Sequence, residues 1–150
     1  MTASRPEGHA TAAVAERVRE VLATFDRDVE TTLARLAELY DPDVVFRDPL
    51  QTLHGREAFL AMNRRIAKRA RRLTFDVGEV ACNAGWMFLA WVITYEPHRG
   101  PTLVFEGVTQ ARVRDGLIVE HRDHWDLASS LARSLPGVRH VYAAFARRLG

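Results

Sequence analysis

Residues 86–126 read WMFLAWVITYEPHRGPTLVFEGVTQARVRDGLIVEHRDHWD, and they set the architecture expected for this chain. Turn residues separate three segments: 86–96, the most apolar, and 102–114 and 117–126, along which the side chains follow a period of two. Such alternation predicts strands, and Asp115-Gly116 is a strong hairpin signal. Leu73, Phe75 and Val77 predict one more strand, with a bulge or bend at Gly78. We therefore expect an antiparallel meander of four strands.

Working outward from this meander, we find helical patterns on both sides. One helix is predicted from Thr11, and a second runs from an N-cap at Asp26 to a stop at Asp41-Pro42. Residues 44–48 predict a short strand, a third helix follows from about Arg56, and two amphipathic helices end the chain after Leu127. Helices segregated onto one face of an antiparallel sheet define an α+β fold. A bent sheet wrapped round them forms a cone with a pocket inside.

The length of 150 residues predicts a single domain over 1–150. Residues 14–127 correspond to the cone and 128–150 to a C-terminal helical extension. The one cysteine, Cys82, cannot form an internal disulfide, which favours a reducing compartment. No apolar run is long enough for a membrane helix, and the acidic N-terminal segment does not resemble a secretory signal. We expect a cytoplasmic protein with no membrane partner.

The charge balance does not favour a nucleic-acid partner. There are 21 basic and 19 acidic residues, giving a net charge of +2. The densest basic run, 64–72, forms one face of the third predicted helix, as a solvated helix surface does. It lacks the interleaved aromatic residues that bind single strands. No nucleic-acid partner is therefore expected, although this helix leaves an anionic partner open.

Three polar residues are the candidates for catalysis. Asp48 shares a strand face with Val44 and Phe46, so its carboxylate is expected at the rim of an apolar interior, where it would act as a general base. In the last strand, alternation places His121 and Asp123 on the inner face. The alternative is structural: Asp48 caps nearby amides after the strand, and Asp123 bonds a buried donor.

The walls of the pocket are expected to be aromatic, and the substrate apolar. The predicted substrate-binding residues are Phe46, Trp91, Phe105, Trp125, Tyr40 and Phe59. The strand over 86–93 is apolar on both faces, so its outer face is expected to be covered by a second copy in a homodimer. His121 and Asp123 could supply part of a metal site, but the second histidine would be distant. No metal and no cofactor are expected.

Several sequence elements together resemble the SnoaL-like and ketosteroid-isomerase-like proteins of the nuclear transport factor 2 superfamily. They are LYDPDVVFRDP over 39–49, LHGREA over 53–58 and HRDHWD over 121–126. By this resemblance, Asp48 matches the base of the steroid isomerases, and Asp123 the acid/base position of the SnoaL-type polyketide cyclases. The hydrogen-bond donors of the isomerases fall at Thr24-Phe25 and Val108-Thr109, where this sequence departs from their pattern.

The resemblance implies a cofactor-independent acid/base enzyme, an isomerase or a cyclase, acting on an apolar molecule with a carbonyl group. Asp48 and Asp123 would exchange protons, with His121 positioning them or sharing charge. One alternative is a binding or dimerisation module that keeps the pocket without chemistry. Another is an epoxide hydrolase, which would need an arginine of the set Arg47, Arg112 and Arg122 in the pocket.

Overall fold

The computed structural model describes residues 5–149, and this part of the chain forms five helices and six strands. In chain order these are α1 Arg5–Leu22, α2 Val29–Ala37, β1 Tyr40–Arg47, β2 Thr52–His54, α3 Arg56–Arg69, β3 Ala70–Asn83, β4 Trp86–Pro97, β5 Leu103–Arg114, β6 Leu117–Trp125, α4 Leu127–Ser134 and α5 Pro136–Leu149. Residues 1–4 and Gly150, which the predicted domain includes, lie outside the described residues. The α+β class is confirmed.

The predicted meander is confirmed strand by strand. The sheet order is β2-β1-β6-β5-β4-β3, and β3 to β6 pair antiparallel in sequence. Asp115 and Gly116 both have positive φ, 50° and 77°, as the tightest hairpin turns require. The β3–β4 register shifts between Val77 and Val80, which confirms the bulge expected at Gly78.

Two expectations near the second helix are wrong. Its N-cap is Asp28, not Asp26, because the Asp28 carboxylate accepts the backbone N–H of Thr31 at 3.0 Å. The helix ends at Ala37, and Tyr40 begins a strand instead of closing the helix. The reason is tertiary, since the Tyr40 backbone pairs with Ile118 of β6.

Strand β1 lies parallel to β6, which sequence reasoning did not foresee. Phe46 pairs with His121, and Arg47 with Arg122. The three-residue strand β2 pairs antiparallel with β1 and is too short to carry a periodic signal. The parallel pairing matters for function because it puts the end of β1 beside the polar end of β6.

Helices α1, α2 and α3 pack on the concave face of the sheet and bury the inner row of β4. Met87, Leu89 and Trp91 are buried there, while Phe88 on the outer row is 39% exposed. At the other end, α4 runs beside β5, where Arg133 and Glu106 form an ion pair of 2.7 Å. The extension is therefore helical, as expected, while the single-domain boundary at 1–150 stays a prediction.

Candidate active site

A cavity of about 390 Å³ lies between the concave face of the sheet and the helices. This volume is in the usual range for small-molecule sites. Most of its lining is apolar, and all six aromatic residues predicted to bind substrate belong to it: Tyr40, Phe46, Phe59, Trp91, Phe105 and Trp125. Asp48, His121 and Asp123 line the same cavity.

A chain of hydrogen bonds crosses one wall of this cavity. Trp91 Nε1 donates to Thr109 Oγ1 at 2.9 Å, and that hydroxyl donates to Asp123 Oδ1 at 2.5 Å. His121 Nε2 lies 2.8 Å from the same carboxylate oxygen, and Tyr40 Oη lies 2.8 Å from His121 Nδ1. Five side chains from four strands therefore form one connected network.

The direction of the two bonds at His121 depends on the groups on either side of its ring. Burial raises the pKa of Tyr40 above its ordinary value of 10.0, and the Asp123 carboxylate raises it further. The phenol therefore keeps its proton at neutral pH, and it donates to His121 Nδ1 in the tautomer that places the imidazole proton on Nε2, directed at Asp123. The imidazole then carries its own proton on Nε2 and donates to Asp123, so Oδ1 of Asp123 accepts two hydrogen bonds.

The second oxygen of Asp123 is available to a ligand. Within residues 5–149, Asp123 Oδ2 has no hydrogen-bond partner, and the side chain is 19% exposed. Because His121 and Thr109 hold Oδ1, the carboxylate cannot easily turn, and Asp123 lines a cavity that is mostly apolar. A fixed carboxylate in such surroundings is suited to accept a proton from a bound molecule.

Asp48 is the second carboxylate that lines the cavity. Strand β1 ends at Arg47, which pairs with Arg122, and Asp48 is the first residue after that pairing, at the end of β6 that carries Asp123. Its Oδ1 accepts the backbone N–H groups of Leu50 at 2.7 Å and Gln51 at 2.9 Å, and its Oδ2 accepts from the Gln51 side chain. Asp48 therefore shapes the loop as the structural alternative predicted, while it also lines the cavity.

Aromatic rings surround the imidazole. The centroid of the His121 ring lies 5.0 Å from that of Phe46 and 5.4 Å from that of Phe59. Phe59 also stacks on Tyr40 at 4.7 Å. Farther along the cavity, Phe105 meets Trp125 edge to face at 5.4 Å. These contacts fix the polar chain against an apolar wall and exclude water from its inner side.

Thr109 is the member of the network that sequence reasoning did not select. It follows the inward parity of Ala111 and Val113 on β5, so a polar residue in an apolar row was the available signal. It is 7% exposed and stands opposite Asp123 in the β5–β6 ladder. Its hydroxyl joins the indole of Trp91 to the carboxylate, which makes it a positioning residue.

Gly107 allows the indole of Trp91 to reach Thr109. A Cβ at this position would lie 2.5 Å from the indole ring and 2.7 Å from the carbonyl oxygen of His124. We expect Gly107→Ala to lower the free energy of unfolding by about 1–3 kcal/mol, because the ring must leave its place in a packed wall. Urea unfolding followed by tryptophan fluorescence measures this.

Gly78→Ala is the matched control for that substitution, since its Cβ would meet only the carbonyl oxygen of Ala90 at 3.8 Å. This variant is expected to be neutral or to gain about 0.4–1 kcal/mol from a less flexible unfolded chain. Equal losses in the two variants would contradict the packing role of Gly107.

The arginines considered for an epoxide hydrolase are not in the cavity wall. Arg47 and Arg122 are exposed, and Arg112 pairs with Glu120 at 3.6 Å on the outer face. Arg69 is the arginine that lines the cavity among the described residues.

Within that same part of the chain, no three His, Cys, Asp or Glu residues are grouped as a metal site would need. No described helix is long and apolar enough to cross a membrane.

The sequence matches the SnoaL-like domain family over residues 18–121, and the chain belongs to that family. The match begins near the end of α1 and ends at His121 in β6, so it includes Asp48 and His121 and stops two residues before Asp123. No curated protein sequence is significantly similar to the chain. The family membership confirms the resemblance seen in the sequence.

Solved structures with low sequence identity share the fold. A proposed SnoaL-like polyketide cyclase from Jannaschia sp. CCS1 is 17% identical, with a TM-score of 0.70, covering 88% of this chain and 96% of its own. An epoxide hydrolase of M. tuberculosis, described as LEH-like, is 15% identical, with a TM-score of 0.69 and coverages of 93% and 99%.

A third relative was solved with a bound small molecule. It is a hypothetical protein with a ketosteroid isomerase-like fold from Catenulispora acidiphila DSM 44928, in complex with trimethylamine. It is 17% identical, with a TM-score of 0.69, and the match covers 83% of this chain and 93% of that one. These likenesses confirm the nuclear transport factor 2-like fold.

Proposed function

We propose that this protein is a cofactor-independent acid/base enzyme, an isomerase or a cyclase, acting on an apolar small molecule that carries a carbonyl group. The observation that supports this most directly is the Asp123 carboxylate. One of its oxygens is held by His121 and Thr109, the other has no partner among the described residues, and Asp123 lines an apolar cavity.

In both reactions Asp123 first takes a proton from the substrate and later gives it back. Asp123 Oδ2 takes a proton from the carbon next to the substrate carbonyl, and the electron pair of that C–H bond moves onto the carbonyl oxygen as an enolate. In an isomerase, Asp123 returns the proton to another carbon of the same molecule. In a cyclase, the enolate carbon attacks a second carbonyl and closes a ring, and the proton goes to the new alkoxide.

The other groups have supporting roles in this proposal. His121 positions Asp123 and spreads its charge through the Nε2 hydrogen bond, while Tyr40 fixes the imidazole from the other side. Asp48, which follows β1 and lines the same cavity as Asp123, is the partner that exchanges a proton with the carbonyl oxygen. The aromatic walls bind the apolar body of the substrate.

Hydrogen exchange tests this function without knowledge of the natural substrate. Undecan-2-one, an apolar ketone, is incubated with the protein in D₂O, and loss of the signals next to the carbonyl is followed by proton NMR. We expect exchange faster than in buffer alone. No acceleration with this ketone and with a panel of cyclic ketones would contradict the proposal.

A binding module without catalysis is the second candidate. The apolar lining of the cavity and the engagement of both Asp48 oxygens by its own loop favour it. Native mass spectrometry of the purified protein separates the two functions. A retained apolar ligand that is recovered unchanged, together with no exchange in D₂O, would indicate binding alone.

We also propose that the protein is a cytoplasmic homodimer formed through the outer face of the sheet. Phe88 and Val108 are 39% and 38% exposed on neighbouring strands of that face, and Trp86, Ala90 and Val92 continue the apolar row. Burial of such a row between two copies removes apolar surface from water.

Light scattering during size-exclusion chromatography is expected to give twice the chain mass of 17.0 kDa. Phe88→Glu places a charge in the buried face and is expected to weaken the dimer at least about tenfold. Val141→Glu, which changes an apolar residue on α5 that is 71% exposed, is the control and should stay dimeric. A monomer of the unmodified protein at micromolar concentration would refute the proposed dimer.

A further inference from the structure

Arg69, the last residue of α3, is a charged group that the proposed chemistry does not use. Its side chain is exposed and lines the mouth of the cavity. Three cations of this region have acidic partners: Arg64 with Glu30, Arg71 with Glu96 and Arg72 with Asp26. Among the cations of this region without one in the described chain, Arg69 is the one that lines the cavity. Within residues 5–149, no carboxylate pairs with Arg69, so its guanidinium is available to a molecule in the cavity.

The hydroxyl group of Tyr95, on β4, is a second hydrogen-bond donor near Arg69. Tyr95 on β4 lines the cavity, is half-buried, and its hydroxyl has no hydrogen-bond partner in the described part of the chain. Ala70 pairs with Pro97 and Leu73 with Tyr95, so the ladder brings Arg69 and Tyr95 to the same end of the sheet. One guanidinium and one hydroxyl at a cavity mouth can together bind a carboxylate.

This end of the cavity is far from the catalytic end. Asp123 pairs with Thr109, and Thr109 with Leu89, so Asp123 lies level with Leu89 across the sheet. Tyr95 is six residues farther along β4, about 20 Å along the path of a strand. Between the two ends, the wall contributed by β4 consists of Trp91 and Ile93. The cavity therefore has two polar ends joined by an apolar passage.

We propose that the substrate is an elongated carboxylic acid whose carboxylate binds Arg69 and Tyr95 and whose carbonyl group reaches Asp123. This inference rests on the proposed function only for the statement that the carbonyl group reacts at Asp123. The carboxylate site at Arg69 and Tyr95 does not depend on it. An apolar chain fills the passage, and the charged end remains at the mouth, where water still solvates part of it. The arrangement orients the substrate, because its two ends differ in the polarity they require.

Isothermal titration calorimetry with decanoate and decanamide tests the carboxylate site. The two probes share chain length and shape and differ in charge. Wild-type protein is expected to bind decanoate about five- to tenfold more tightly, as an exposed ion pair with an added hydrogen bond allows. In Arg69→Gln this preference is expected to fall to about one. The preference should also shrink in 0.5 M salt, because the site is open to solvent.

Arg65→Gln is the matched control. Arg65 lies one turn earlier on α3, is exposed, and does not line the cavity. It should keep the wild-type preference, whereas Tyr95→Phe should reduce it in part. An unchanged preference in Arg69→Gln, an equal affinity of wild type for both probes, or binding of neither probe would overturn the proposal.

The preference for decanoate can be tested independently of the catalytic proposal. Asp123→Asn is expected to keep the preference for decanoate, because that residue lies at the other end of the cavity. If Asp123→Asn loses proton exchange but still prefers decanoate to decanamide, the result supports both the catalytic role of Asp123 and the carboxylate site at Arg69. A wild-type protein that prefers decanoate but exchanges no protons retains the carboxylate site and refutes the enzyme.

Discussion

Replacement of Asp123 by Asn is expected to slow the exchange of protons next to a ketone carbonyl about 10²–10⁴-fold, the usual loss for a general base. An amide oxygen can still accept from Thr109 and His121, so the network and the fold should persist. The group at the position of Oδ2 becomes an NH₂, which cannot accept a proton. The measurement is the initial rate of deuterium incorporation at fixed enzyme concentration.

Two further variants show whether the slower exchange in Asp123→Asn is specific to the proposed pair of carboxyl groups. Asp48→Asn reports on the second carboxyl group and is expected to slow exchange, because Asp123 would lose the group that, in the proposed mechanism, exchanges a proton with the carbonyl oxygen. Asp76→Asn, an exposed position on β3 outside the cavity, is the control and should behave as wild type. If Asp123→Asn and Asp48→Asn both exchanged at the wild-type rate, the two-carboxylate mechanism would be wrong.

Above pH 10 the protein is expected to lose stability in a way that depends on Tyr40. Burial and the Asp123 carboxylate raise the pKa of this phenol in the folded state above 10.0. In the unfolded chain the phenol ionises near its ordinary pKa, so rising pH favours unfolding. The contribution of Tyr40 is complete below pH 10 and is lost by about 1.4 kcal/mol per pH unit above it.

Tyr40→Phe removes this contribution. The variant should be less stable at neutral pH, because the hydrogen bond to His121 is lost, but its free energy of unfolding should fall less steeply between pH 10 and 12. Urea unfolding at each pH gives the two slopes. Tyr95→Phe is the control, since that side chain is only partly buried and makes no hydrogen bond in the described chain. Parallel slopes for wild type and Tyr40→Phe would contradict the burial of a protonated phenol.

The local pattern of the sequence was sufficient for much of the fold. Alternation along 86–126 predicted the meander, and the turn at Asp115-Gly116 predicted the β5–β6 hairpin. The same alternation placed His121 and Asp123 on the inner face, where the structure has them. A period of two is a property of each strand alone, so the face on which a side chain lies can be derived before any strand has a partner.

Which residues meet inside the cavity was decided by the tertiary structure. Tyr40 fits a helical period, yet the parallel pairing of β1 with β6 draws it into a strand and onto His121. The same pairing brings the end of β1, which Asp48 follows, to the part of β6 that carries Asp123, and the β5 register brings Thr109 to both Trp91 and Asp123. Sequence period determines the face of each strand, but contacts between residues 81 positions apart depend on strand order and register, which only the packed chain establishes.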